Sequence, residues 1–486
     1  MRFDAALAIL ASLGGVEAFW RMECRGRVGL ARLDPLINPG AMSPHAHAIH
    51  GSSGFNEKAT YEDLANGECT SCGVAEDKSA YWAPNVYFKH ANGSYQEVQQ
   101  VGGMLAYYFL NRDLKDTKKG IKAFPNDFRM IAGDTSRRNY SIAGLSHLLP
   151  DPPKSDWGSL GQTKQNALAQ RAIGFNCLNY KRDGEPALYR HYLPDKNYLD
   201  SNCKDGVRFE ISFPSCWNGK DTNSPDHRSH VAYPDEVLNG NCPDGFDVKL
   251  PGLFFETIWA TNAFIGVPGE FVISNGDVDG FGYHADFISG WDSKFLQSAV
   301  DQCTNLSGRI SDCPIFSLLD EDTQRKCQMA TPPMIASTEK LSGMIGESLP
   351  GGATIHRGPG PAMGKPAPAP EPVPEPSPVP APSNKDLPGG VFKEKPTSAP
   401  ELNGLAAAPS PSPAPIPSDP PVPAGYELVR TDYVTEGNVV RKVVIIETVQ
   451  YVMVATETVT VTSTLGADKA RRELNNHLHR HRHGSH

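Results

Sequence analysis

His45 and His47 are one residue apart in SPHAHAIH, so on an extended strand both imidazoles leave the same face. Two nitrogens presented in that way are what a β-sheet can offer to one metal ion. His227 and His230 follow in PDHRSH, where Pro225 and Asp226 predict the start of a helical turn that would set both rings on one side. The third source is GYHAD, in which Tyr283, His284 and Asp286 are expected in a Gly-rich loop beside aspartates. If these three segments converge, His45, His47, His227, His230, His284 and Asp286 are candidate metal ligands, with Asp226 and Asp286 able to orient ring nitrogens or to ligate directly. Imidazole mixed with carboxylate suits zinc, copper or manganese and discriminates poorly among them. The same stretches hold the candidate catalytic groups Asp226, His227, His230, Tyr283 and His284, of which His227, His230, Tyr283 and His284 have the types that a polysaccharide lyase needs beside a uronate carboxyl. The plainer alternative is that these histidines only satisfy buried backbone groups in a loop-rich protein.

A second acid–base reading uses Glu210 in RFEISF and Glu256 in LFFETIW, the carboxylate pair that glycoside hydrolysis requires, although both also fit as ordinary strand residues. Other chemistries lose support. The chain has no G-x-S-x-G, no H-E-x-x-H and no P-loop. The net charge of -9 argues against nucleic acid as a partner, because phosphate binding rests on clustered Lys and Arg.

The elements that must position these groups read as β-rich. YWAPNVYF, RFEISF, LFFETIWA and EFVISNG are short apolar or alternating runs bounded by Gly, Pro, Asn and Asp, whereas only Leu160–Ile173 and Lys294–Cys303 carry helical periodicity. The predicted fold is mainly β, an antiparallel sandwich or jelly-roll-like domain with long disulfide-pinned loops and a few short helices. Ten cysteines, all before residue 330, predict up to five disulfides in an oxidising compartment; spacing does not give their pairing.

Composition divides the 486 residues. Residues 1–18 read as a signal peptide, placing the mature start at Phe19. Residues 19–347 form the β-rich catalytic or binding domain, and 348–425 a Pro/Ala/Ser-rich stalk extended in polyproline form. The Val/Thr-rich stretch 426–465 predicts a small β-hairpin or an adhesive tail, and 466–486 is basic and His-rich. No stretch after the leader reaches the ~20 apolar residues of a membrane span. Sequons at Asn92, Asn139 and Asn305 fit a secreted glycoprotein.

Five segments, in order, carry a family resemblance: DPLINPGAMSPHAHAIHGSSGF, CTSCGVAEDKSAYWAPNVYF, VRFEISFPSCWNGKDTNSPDHRSHVAYP, LPGLFFETIW and SNGDVDGFGYHADFISGWD. The chain resembles the fungal secreted family called domain of unknown function nineteen-ninety-six, over about residues 19–330. The resemblance implies a fungal extracellular or cell-wall protein and implies no particular reaction. Where the family pattern leads one to expect histidine after Cys-Pro, this chain has Phe246 in CPDGFD, so that position supplies no imidazole.

Two functions compete. One is a secreted, cell-wall-associated protein whose His/Asp cleft acts on or binds polysaccharide as a hydrolase or lyase using a divalent metal, with Trp82, Trp217, Trp259 and Trp291 available to stack on sugars. The other is a non-catalytic wall component or lectin-like carbohydrate-binding protein whose His/Asp cluster is structural.

Overall fold

The structure, a computed structural model, describes residues 18–115, 119–140, 142, 146–331 and 339–358, together with the backbone of 426–436 and 439–448. The predicted leader, apart from Ala18, the stalk beyond residue 358 and the His-rich tail lie outside the described residues. The chain divides into two units, residues 1–396 and 397–486. In the second, Tyr426–Glu436 and Val439–Thr448 pair as an antiparallel hairpin.

The first unit is mainly β and is built on two five-stranded antiparallel sheets. In chain order their strands are β1 (Phe19–Cys24), β2 (Gly29–Ala31), β3 (His47–Gly51), β4 (Ala80–Pro84), β5 (Gln100–Phe109), β6 (Arg129–Gly133), β7 (Ile173–Cys177), β8 (Val207–Ser212), β9 (Gly252–Trp259) and β10 (His284–Ile288). The first sheet runs β1-β5-β9-β8-β7 and the second β2-β3-β4-β10-β6.

Period-two sequence sets the faces of the first sheet. In β1, Trp20, Met22 and Cys24 are buried while the residues between them are half-buried. In β8, Val207, Phe209 and Ile211 join the core and Arg208, Glu210 and Ser212 face away from it. Aromatic rings fill the space between the sheets: Tyr81 of β4 meets Phe255 of β9 at 5.5 Å, and its hydroxyl lies 2.6 Å from that of Tyr108 in β5. The second sheet is covered on its other face too, by an apolar layer in which Val28, Leu33, Leu36, Phe55, Leu64 and Met329 lie over Ile49, Trp82, Ile131 and Ile288. Burial on both faces explains why β4, AYWAP, reads as an apolar run rather than an alternating one, and it seals the histidines of β3 and the His284 and Asp286 of β10 inside as well.

The run YWAPNVYF does not form one strand. Ala80–Pro84 belongs to the second sheet and Val86–His90 to a separate four-stranded sheet, with Asn85 between them hydrogen-bonded to Ala46 and Ser274 of other segments. Of the expected helices, Gln165–Arg171 and Ser293–Gln302 form, the latter capped by Asp292, whose carboxylate accepts the Lys294 and Phe295 N–H groups.

All ten cysteines pair, as 24–72, 69–327, 177–203, 216–242 and 303–313. Cys69 and Cys72 therefore do not bond to one another, and the C-x-x-C spacing carries no redox pair. No helix among the described residues is long and apolar enough to cross a membrane.

One buried group makes stability depend on pH. His50 in β3 is sealed inside with neither ring nitrogen in a hydrogen bond of good geometry, and burial, aided by the Arg27 guanidinium and opposed by Gln100, lowers its pKa to about 3. Below pH ~6.5 the unfolded chain takes up a proton that the folded chain refuses, so stability falls as pH falls. Between pH 7 and 4 the wild type is expected to lose roughly 3 kcal/mol more than His50→Gln. Denaturant titrations of both proteins at the two pH values check this; parallel losses would refute it.

Candidate metal centre

His47 opens β3, where it pairs with Pro84 of β4. Asp286 of β10 pairs with Trp82, and continuing that antiparallel register brings His284 level with Pro84. The two imidazoles thus flank Pro84 in one row of the sheet, on the face that also carries Asp286. Their ring centroids come to 5.8 Å. His45, two residues before His47, reaches the same point, 4.4 Å from the His47 ring and 5.1 Å from that of His284.

One ring nitrogen from each of the three histidines lies within 4.8 Å of the others. His45 Nε2 is 3.1 Å from His284 Nε2. Two lone pairs cannot face each other at that distance, so either a proton or a cation lies between them. Zn–N bonds near 2.05 Å in a tetrahedron place nitrogens ~3.3 Å apart, close to what is seen. His284 Nδ1 is 3.1 Å from the Gly282 carbonyl, which accepts its N–H and leaves Nε2 as the lone pair. Neither nitrogen of His47 has a hydrogen-bond partner of good geometry, although the ring is completely buried.

Burial first, and then neighbouring positive charge, keeps these rings neutral. His45 and His47 are held well below the usual imidazole range, and His284 falls to about 4. Neutral imidazole is the ligand form. Beside them, Asp286 is fully buried and neither carboxylate oxygen has a partner; burial and then the Asp34 carboxylate raise its pKa, while Arg228 opposes them. A buried polar group left this way is costly, but Asp286 is not among the residues whose donor atoms gather within 4.8 Å, which are His45, His47 and His284. Close approach of β6 depends on Gly133, at φ +77°, since a Cβ there would lie 2.3 Å from the Tyr283 carbonyl and 2.8 Å from His284 Cα.

The remaining sequence candidates are placed elsewhere. Residues 222–230 form turns, and His227 takes a left-handed conformation at φ +55°, so the expected helical turn is absent. His227 sits between Asn223 Oδ1 and the Leu36 carbonyl; His230 contacts Ser224 Oγ at 2.8 Å and packs on Phe128. Asp226 is exposed and staples its own turn, accepting from Ser224, Arg228 and Ser229. Tyr283, next to His284, points to the opposite face and packs on Phe175 and Phe209 in the core.

The 222–235 loop instead contributes Arg228, whose Nε–H donates to the carbonyl of Gly133, the residue paired with His284. Arg138 is also near enough to act on His45 and His284, and Arg32 on His45. Nothing local in the sequence marks these arginines. Glu210 and Glu256 pair directly across β8 and β9, but Arg208 bridges them, and Asn176 and the Leu188 N–H also donate to Glu210. Burial pushes Glu210 up to about 7, and with none of its surface exposed it has no room for an attacking water.

Residues 34–291, more than half the chain and including all three clustered histidines, match the family described as Domain of unknown function (DUF1996). No curated protein and no solved structure matches.

Proposed function

The chain belongs to the DUF1996 family, and from that premise we propose that it is a secreted fungal protein of the cell wall whose three-histidine centre holds a divalent metal and serves polysaccharide binding or cleavage. The observation that carries this is the meeting of His45, His47 and His284 with one 3.1 Å nitrogen–nitrogen contact and one buried imidazole left without a hydrogen bond of good geometry. Five disulfides and exposed asparagines at all three sequons support export through an oxidising pathway. We assign the leader to residues 1–18 and the stalk to 348–425.

A bound ion would supply Lewis acidity or fix an oxygen ligand. The chain's own residues do the rest: Gly282 orients His284, and apolar neighbours exclude water. A non-catalytic, lectin-like role is favoured by one fact, that His45, His47 and His284 are only 6%, 0% and 4% exposed.

Elemental analysis of the secreted protein is expected to find one zinc, copper or manganese ion per chain, and glycan arrays to find polysaccharide binding. Release of reducing or unsaturated sugar ends, abolished in His284→Ala, would establish cleavage; binding without product would establish the lectin-like role. A fully folded protein free of metal would overturn the metal reading.

A further inference from the structure

The 222–235 loop, which concentrates histidine and aspartate yet sends neither imidazole to the metal centre, borders a pocket of about 370 Å³, a size typical of small-ligand clefts. The pocket lies beside β6, whose Ile131 and Gly133 pair with Asp286 and His284. Ile131, Pro214, Val231, Tyr233 and Phe246 give it apolar walls, and Asp226 and Arg228 are its charged groups. Tyr233 offers its ring rather than its oxygen, because the hydroxyl donates to the Ser212 carbonyl at 2.9 Å. Phe246 is partly exposed and packs on the Cys216–Cys242 disulfide. Aromatic walls around a few polar groups are how proteins hold the mixed apolar and hydroxylated faces of a sugar.

Both charged groups are fixed, and each leaves one atom open. Asp226 accepts four hydrogen bonds, from Ser224 Oγ, Ser229 Oγ and the N–H groups of Arg228 and Ser229, and all four fall on Oδ1. Its Oδ2 has no partner among the described residues, and the side chain is exposed. Arg228 donates through Nε to the Gly133 carbonyl at 3.2 Å and through Nη1 to that of Asp226 at 3.3 Å. Gly133 and Asp226 both line the pocket, so the guanidinium bridges two points of its wall. Its Nη2 makes no hydrogen bond among the described residues and, unlike the sealed Nη1 of Arg137, keeps accessible surface. His227 sets this arrangement. It takes a left-handed φ of +55° between the two charged residues, a conformation that a non-glycine residue keeps only where its surroundings enforce it. Asn223 and the Leu36 carbonyl hold its ring and thereby the turn.

We propose that this pocket is a subsite for a neutral hexose residue, one of whose hydroxyls donates to Asp226 Oδ2 while another accepts from Arg228 Nη2, and whose C–H face rests on Phe246 and Tyr233. The two charges decide the class of sugar. An acidic residue drawn to Arg228 is repelled by Asp226, whereas uncharged hydroxyls find a charge-assisted partner at each. The proposal rests on the polysaccharide reading above and narrows it to neutral glycans.

The test is calorimetric titration of the full-length secreted protein with laminaritriose, cellotriose, mannotriose and galacturonic acid trimer. At least one neutral trimer is expected to bind about tenfold or more tightly than the acidic one. Asp226→Asn keeps Oδ1 as the acceptor that staples the turn and changes the open acceptor into a donor; it should weaken that trimer about tenfold. Phe246→Ala should weaken it about tenfold as well, by removing the wall. Near-UV circular dichroism shows whether each variant is folded, and either one keeps the test decisive if the other fails to fold. An acidic trimer bound as tightly as the best neutral one, or wild-type affinity in either folded variant, would overturn the subsite. Binding of a neutral trimer that the folded variants retain sinks the subsite and leaves the polysaccharide reading standing; no binding of any of the four trimers sinks both.

Discussion

His47→Leu is expected to lower the melting temperature of the protein as isolated and to raise that of the metal-stripped protein. The opposite signs come from one residue with two environments. In the apo state neither nitrogen of buried His47 has a hydrogen bond of good geometry, the Leu33 backbone being the nearest candidate, and an apolar side chain of similar size removes that penalty, a gain of about 1–3 kcal/mol. In the metal-bound state the same change deletes one of the three imidazoles. If each of the three imidazoles supplies an equal share of a structural ion's ~10–16 kcal/mol, affinity drops on the order of a thousandfold. An ion present at a hundred to a thousand times its dissociation constant stabilises the fold by about 3–4 kcal/mol, and the variant forfeits this. Thermal melts of wild type and His47→Leu, each with and without chelator, read both signs. A variant more stable than wild type in every condition would mean that the cluster holds no ion.

Replacing Cys69 and Cys327 together by serine is expected to cost roughly 5 kcal/mol, the largest stability change of any disulfide here. The bond closes a loop spanning 258 residues, and chain-entropy stabilisation grows with the logarithm of loop length. The bond spanning 10 residues, Cys303–Cys313, should be worth roughly half as much. Losing ~5 kcal/mol consumes much of a domain's usual 5–15 kcal/mol of stability. The effect also has a location. Cys327 and Met329 lie in the apolar layer over the second sheet, where the Met329 N–H donates to Val28. Releasing Cys327 frees that cover above Trp82 and Ile49, on the face that carries His47 and His284. Denaturant unfolding of both double-serine variants checks the ratio, and metal uptake by the Cys69/Cys327 variant checks the location. Equal losses for the long and short loops would reject the loop-closure account.

The sequence by itself determined the β-rich class, because alternation in β1 and β8 reports one face of a pleated strand in water or core whatever its partner. It determined that His45 and His47 share a face, a spacing of two on extended backbone, whereas GYHAD reads as a Gly-rich loop and only the structure makes a strand of it on which His284 and Asp286 share a face. The same rule separates Tyr283 from His284, which a strict period-two reading of GYHAD would have caught. Helix 293–302 was legible from the helical periodicity of residues 294–303, and its Asp292 cap came with the structure. Tertiary structure alone decided that His45 and His47 meet His284. That depends on β4 lying between β3 and β10, in a register set by burying Ile49, Trp82 and Ile288 together across more than 200 residues of chain. It also decided that the 222–235 loop delivers Arg228 and not His227, because the left-handed turn at His227 directs that ring to Asn223 and Leu36. It chose the cysteine partners, and it split YWAPNVYF between two sheets at Asn85. Local spacing is dictated by backbone geometry and survives in the sequence; meetings between distant strands depend on how a whole core packs, which no short stretch of residues encodes.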